Sequence, residues 1–415
     1  MKRLLFLLLC FVISLPSTVH GQKNNENALK IAFTRDGFVW IKTGAKEERI
    51  TKQAANILYP PQWSHDGKWI LYQKEMVSEI NSNKETHSEI WVYNMETKEH
   101  RKIFHDGVNA KWSPKENIVA FLSGGVLNVS NLDDFKNVAL GVDNFEWYPD
   151  GRAVFASSAA AIKPDGWTNP ELYKIPIGQN FKEITMSENV QELFKIPKEL
   201  SNGKVSILSI NASSFAFSPD GKWVSFIVNP TASWSMDSDM VCVITADGEN
   251  FEVLDETILG IDQPSWAPSE NLLGYIAGGG RIVFGFKNKK LKVQELPAFK
   301  SNTLTPPNFA EMGFTWVNDN TLIVSRVVEA EWNNDPNKRP NPALYMIKMK
   351  ENEQPKITNP KKGQGDFQPN YASSANKLTW VRKNMNAMNG DLWIADINGK
   401  NSELWVKNIG LYSIY

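Results

Sequence analysis

The sequence predicts an all-β fold, a β-propeller of four-stranded blades, and three observations carry that prediction. One phrase recurs seven times: an aromatic, a Ser-Pro-Asp-Gly turn or a close variant, then an apolar run. Around each copy lie further short runs rich in Val, Ile, Tyr, Phe and Trp, bounded by Gly, Pro, Asn and Asp, which read as strands. No stretch has a convincing long helical period. A small sheet per repeat cannot bury both of its faces alone, so neighbours must stack face to face. Radial closure then leaves only short protected edges. The 415 residues would otherwise suggest two or three domains, but a repeat architecture removes that reading.

The chain opens with MKRLLFLLLCFVISLPSTVHG. Basic Lys2 and Arg3, an apolar run from Leu4 to Leu15, the breaker Pro16 and small residues before Gln22 make residues 1–21 a secretory signal peptide, with cleavage expected after Gly21. The apolar run is too short to span a bilayer comfortably. Cys10 is a poor acylation site, because Leu9 stands where a small residue is needed. Residues 22–415 are expected as one propeller, exported to the cell envelope, the periplasm or the medium. Cys242 would then be the one cysteine of the mature chain, so no intrachain disulfide forms, and its apolar run MVCVITADG marks it as a core residue. The net charge of −1 excludes the electrostatic footprint of a nucleic-acid binder.

LKIAFTRDGFVWIKTG is a first, partial unit without an aromatic strand. The full copies follow as PQWSHDGKWILYQ, AKWSPKENIVAFLS, FEWYPDGRAVFAS, FAFSPDGKWVSFIV, PSWAPSENLLGYIA, FTWVNDNTLIVSRV and PNYASSANKLTWVR. Their anchors are Trp63, Trp112, Trp147, Phe217, Trp266, Trp316 and Tyr371. In the turn, Gly supplies a positive φ, Pro presets its own, and Asp bonds to the backbone two residues on. Third strands follow in most units, such as EIWVYNME, ELYKIPIG and DLWIADING. Fourth strands include HRKIF, KEITM, FEVLD and SELWV. Eight units predict eight blades, with the C-terminal LYSIY supplying the strand missing from the first; seven result if the first unit merges with the last.

This phrase, Trp-Ser-Pro-Asp-Gly-Lys followed by an apolar strand and then Ile-Trp-Val, resembles the TolB-like β-propeller repeat. Related repeats form the propellers of the dipeptidyl-peptidase and prolyl-oligopeptidase families. The resemblance spans residues 29 to 410 and implies the fold; activity is another matter. TolB itself resembles a six-bladed propeller behind an α/β domain, and only residues 22–28 precede the first unit here. The peptidases carry a C-terminal α/β-hydrolase domain, and this sequence ends with its last blade.

The residues offer little recognisable chemistry. No Gly-x-Ser-x-Gly elbow occurs. His65, His87, His100 and His105 all fall in the second unit without metal-ligand spacing. Asp66, Asp150 and Asp220 are turn formers. Asp237 and Asp239 form a two-residue-spaced pair that lacks a third ligand for calcium. Gly278 to Arg281, GGGR, joins two strands and is a hairpin, with no helix behind it to cradle phosphate. No metal or cofactor is expected.

Function is expected where the repeats diverge. The connection between second and third strands is short in the first, third and sixth units. It is expanded at 74–89, 159–170, 229–239, 328–342 and 383–390, all on one face. Trp167, Trp234 and Trp332 stand in these loops among polar residues, with Asp237, Asp239, Glu331 and Arg339 as a polar surround, a composition suited to a protein or glycan. In the fourth unit's tail, SENVQELF reads as a helical turn capped by Ser187. The sequence therefore predicts a non-enzymatic propeller binding a protein or envelope polysaccharide through its loop-rich face. The alternative is a propeller-only lyase or glycosidase working at the channel mouth. A third reading is a regulatory propeller whose catalytic domain lies on another chain.

Overall fold

The computed structural model describes residues 29–80, 83–178, 180–186, 189–230, 238–258, 262–279 and 285–415. The signal segment 1–21 lies outside these residues, as do Ser187, Trp234, Asp237 and Arg281. Among the described residues there is no α-helix; the regular elements are strands and short 3-10 turns.

The repeats become small antiparallel sheets whose strands follow one another in chain order. In the third unit, Val108–Trp112, Val119–Ser123, Val126–Ser130 and Phe135–Leu140 lie side by side. The two middle strands, VAFLS and VLNVS, are buried along most of their length on both faces, as apolar runs covered from either side must be. The fifth and sixth units are linked into one sheet by the pair Thr257↔Ala277. The seventh has three strands, and the bridges Tyr345↔Lys356 and Lys348↔Glu353 run along its outer edge.

Neighbouring units share an apolar cluster at each junction. Leu127 and Val129 meet Val154 and Ile175 between the third and fourth units. Phe155 and Leu172 meet Val224, Phe226 and Cys242 between the fourth and fifth. Val381 and Leu392 of the last unit meet Ile31 and Phe33 of the first. The sheets thus form a ring. Its closure is also a strand pairing: Tyr412–Ile414 lies antiparallel to Lys30–Arg35, with Ile31 opposite Ile414 and Phe33 opposite Tyr412. LYSIY is the missing strand.

The anchor tryptophans stitch this ring. Trp112 donates its indole N–H to the Gln62 carbonyl (3.2 Å), Trp147 to Lys111 (3.3 Å), Trp266 to Ala216 (3.0 Å) and Trp316 to Ser265 (3.0 Å). Each acceptor immediately precedes the anchor of the unit before. Trp63 reaches Ser413 in the closing strand (3.4 Å). One such bond contributes about 1 kcal/mol net, and it satisfies two groups that packing has taken from water.

The turns work as expected and add a second stitch. Asp220 accepts from the Ser218 hydroxyl (2.7 Å) and the Lys222 amide (3.0 Å), and Gly221 holds φ of 71°. Its other oxygen accepts from Asn271 of the next unit (2.9 Å). Asp66 repeats this with Ser64, Lys68 and Asn117. Desolvation alone would raise the Asp66 carboxyl, but the bonds from Ser64, Asn117 and the Lys68 amide outweigh it and hold the group at about 2.

Three local expectations are corrected. KEITM is not the fourth strand of the fourth unit: Phe181–Glu183 is a 3-10 turn, capped by the Asn180 side chain. SENVQELF is not helical: Gln191–Lys195 is the strand there, paired with Glu171–Pro176. The open edge of that third strand needs backbone partners, and Phe194 gains a stack on Phe251 of the next unit, with centroids 4.8 Å apart; these outweigh helix propensity. In the sixth unit the second strand, Leu272–Ala277, pairs with Lys290–Glu295, so the connection spans 278–289 and is long.

Candidate functional site

In an antiparallel sheet of this order, the Ser-Pro-Asp-Gly turns leave on one side of the ring. The connections between second and third strands leave on the other, together with the returns to the next unit. The long connections therefore share a face. One of them, 74–89, is a continued hairpin, paired out to Ile80↔Asn83.

The candidate residues on this face divide. Trp167 ends a two-residue strand, Gly166–Trp167, in a small hairpin with Ile162–Lys163, and it is partly exposed. Asp239 turns inward: it is buried at the start of a strand and accepts from Asn229 (2.7 Å). Trp234 and Asp237 lie outside the described residues.

Glu331, Trp332 and Arg339 are brought together. The Trp332 ring stacks on Phe286 at 6.4 Å, and the Arg339 guanidinium lies 3.7 Å from its centre on a cation–π contact. Arg339 also bonds to the Asn333 carbonyl (2.7 Å) and to Asn386 of the eighth unit (2.9 Å), and Glu331 pairs with Lys287 (2.5 Å). This cluster fastens the loops of three consecutive units. The indole is thus engaged by its own protein, and the carboxylates Glu329 and Glu331 are taken up by Lys290 and Lys287.

The group that sequence reading missed lies nearer the axis. The inner strands carry a recurrent irregularity three residues before the anchor: Asn109, Ser214, Gly313 and Gln368 all have positive φ. Register shifts between Ser213 and Ala216, Glu311 and Phe314, and Phe367 and Asn370 mark β-bulges there. Such bulges re-aim a strand and disrupt its ladder locally. At Gly313 an added Cβ would come within 3.4 Å of Asp262 Oδ2.

Asp262 is held across the sixth and seventh units. Its Oδ2 accepts from the Phe314 amide (2.7 Å) and its Oδ1 from the Gln263 amide (2.9 Å). It lines a cavity of about 320 Å³ whose other walls include Pro60, Gln368, Asn370 and Tyr412. Those residues come from the inner edges of units far apart in sequence, which places the cavity on the ring axis. Desolvation pushes the Asp262 carboxyl up to about 6, against the two amides that lower it. It has no ion-pair partner among the described residues.

A second cavity of about 430 Å³ adjoins the first, sharing Gln368, Gly410 and Leu411. Arg35, Asp36, Asn56 and Lys383 line it. Arg35 pairs with Glu47 (2.8 Å) and Asp36 accepts from Asn408 (3.0 Å). Lys383 makes a long contact with the Met388 carbonyl (3.5 Å) and has no ion pair among the described residues, and desolvation lowers its pKa. One signal for Asp262 was present in the sequence. VDNFEW and IDQPSW both place an Asp four residues before the anchor tryptophan, outside the turn motif.

No family model matches the chain. The sequence is 23% identical over 195 residues to an uncharacterized peptidase, YuxL, of Bacillus subtilis, covering 41% of this chain and 29% of that protein. The structure is similar to Porphyromonas gingivalis dipeptidyl peptidase 4, with a TM-score of 0.58, 10% identity, and 92% of this chain and 58% of that chain covered. It is also similar to a puromycin-hydrolyzing peptidase of Mycobacterium tuberculosis, with a TM-score of 0.52, 13% identity, and 85% and 53% covered. The chain thus spans little more than half of these solved proteins. Its solved neighbours include a β-propeller domain, that of a protease from Pyrococcus furiosus. The expectation of a non-enzymatic binding protein is corrected here, because the relatives are peptidases.

Proposed function

We propose that this chain serves peptide hydrolysis, as the peptide-admitting propeller of a peptidase-type enzyme. The observation that carries this reading is the axial cavity around Asp262. It sets a recessed carboxylate beside bulged inner strands, which is chemistry that suits the charged end of a peptide. The likeness to peptidases over 92% and 85% of the chain supports it. The 415 residues hold no Gly-x-Ser-x-Gly elbow, so the hydrolytic nucleophile is assigned to polypeptide outside them. Within this reading the ring has eight blades of TolB-like type, supported by the recurring phrase, and it works after export.

In this arrangement the propeller's own residues bind and orient. The bulged inner strands wall the peptide in, while Asp262 fixes a positively charged end by a charge-assisted hydrogen bond. The ring walls exclude competing water from that contact. The test is hydrolysis of fluorogenic aminoacyl and dipeptidyl substrates by source-cell extract, with and without this chain. Loss of part of the activity on deletion, restored by the purified full chain but less so by its Asp262→Asn variant, is the expected result. Unchanged hydrolysis of every substrate on deletion overturns it.

A further inference from the structure

The two adjoining cavities hold opposite charges that have no ion-pair partner among the described residues. Asp262 lies at one end, where among the described residues it is bonded to the amides of Phe314 and Gln263. Lys383 lies at the other, without an ion pair among the described residues and half-buried over the Phe367 ring at 5.4 Å. The remaining charges of the second cavity are engaged, Arg35 by Glu47 and Asp36 by Asn408. Gln368, Gly410 and Leu411 form the shared floor between the two ends. Gln368 there has φ of 50° and accepts from the Tyr412 hydroxyl through its carbonyl (3.4 Å).

A half-buried carboxylate and a half-buried ammonium, neither ion-paired among the described residues, favour a ligand that brings the complementary charge to each. We infer that the joined cavities take a short free peptide as a zwitterion, its N-terminal ammonium at Asp262 and its C-terminal carboxylate at Lys383. This rests on the peptide-handling reading above and narrows it: the ligand is an oligopeptide with both ends free, and the interior of a long chain does not fit. The volumes, about 320 and 430 Å³, fall in the range of roughly 300–1,000 Å³ usual for small-ligand sites.

Calorimetric titration of the full chain tests this with trialanine, N-acetyl-trialanine, trialanine amide and the doubly capped peptide. Free trialanine should bind most tightly, and each cap should weaken it about tenfold or more, as loss of a charged hydrogen bond does. Asp262→Asn should abolish the discrimination against the acetyl cap and keep that against the amide. Lys383→Met should do the reverse. The variants' melting temperatures are measured alongside, and the four wild-type titrations decide the matter even where a variant fails to fold. Equal affinity for free and capped peptides overturns the zwitterion inference alone. A lack of binding by all four overturns both it and the peptide reading.

Discussion

Replacing Arg326 by Met tests the forces that hold the wall of the axial cavity. Arg326 is 3% exposed and Glu311, opposite it on the inner strand Phe309–Asn318, is fully buried. The guanidinium donates to Glu311 Oε1 (2.8 Å) and to Gln354 Oε1 (2.7 Å), and it lies 5.0 Å from the Tyr345 ring centre. Met keeps much of the volume but strands a buried carboxylate, which costs about 3–5 kcal/mol. Desolvation already raises the Glu311 pKa, and Arg326 opposes it. Without Arg326 the folded state holds the Glu311 proton to still higher pH than the unfolded state does, so the variant loses stability as pH rises above the ordinary carboxylate range. Urea unfolding followed by tryptophan fluorescence should therefore show a larger deficit at pH 8 than at pH 5. The double variant Glu311→Leu/Arg326→Met should recover most of the loss, since replacing a buried pair by apolar groups is often neutral. A single-variant deficit below about 1 kcal/mol, or a double variant as weak as the two singles added, would refute the reasoning.

Trp316→Phe removes one indole stitch to the Ser265 carbonyl and part of a ring, and should cost about 2 kcal/mol in urea unfolding; Phe217, which stands at the same place in the fifth unit, indicates that the smaller ring is tolerated. Deleting residues 412–415 removes the strand that pairs with Lys30–Arg35, and should lower the thermal midpoint by several degrees and promote aggregation through the exposed edge, as light scattering would report. Asp66→Ala removes bonds to Ser64, Lys68 and Asn117. Because the folded Asp66 carboxyl lies near 2, below its ordinary value, its contribution is present above about pH 4 and fades as pH falls toward 2; the variant's deficit in acid titration should shrink over the same window.

What was legible in the sequence was what local chemistry determines. Ser64-His65-Asp66-Gly67 and Ser218-Pro219-Asp220-Gly221 fold their turns from their own atoms, and the apolar runs after them are strands wherever they lie. Ring closure by LYSIY followed because the first unit lacked a strand and only the C-terminus could provide one. What stayed hidden depends on distant partners. Gln191–Lys195 is a strand because Glu171–Pro176 presents an unpaired edge, which no window around SENVQELF reveals. Trp332 looked available for a ligand, yet Phe286 and Arg339 close over it, and Phe286 belongs to the preceding unit. Asp262 lies outside the turn motif that marks the repeats. Its setting is made by the Phe314 amide, some fifty residues away, at a bulge whose residues are not alike in sequence.

The central claim is that peptide is held at the axial cavity. Photo-crosslinking with tripeptides carrying benzoylphenylalanine, followed by mass-spectrometric mapping of the adducts, tests it most directly. Adducts are expected on Met312 to Phe314, Gln368 to Asn370 and Gly410 to Tyr412, competed away by unlabelled trialanine. Adducts confined to the outer strands or the Ser-Pro-Asp-Gly face, or none that trialanine displaces, would contradict it.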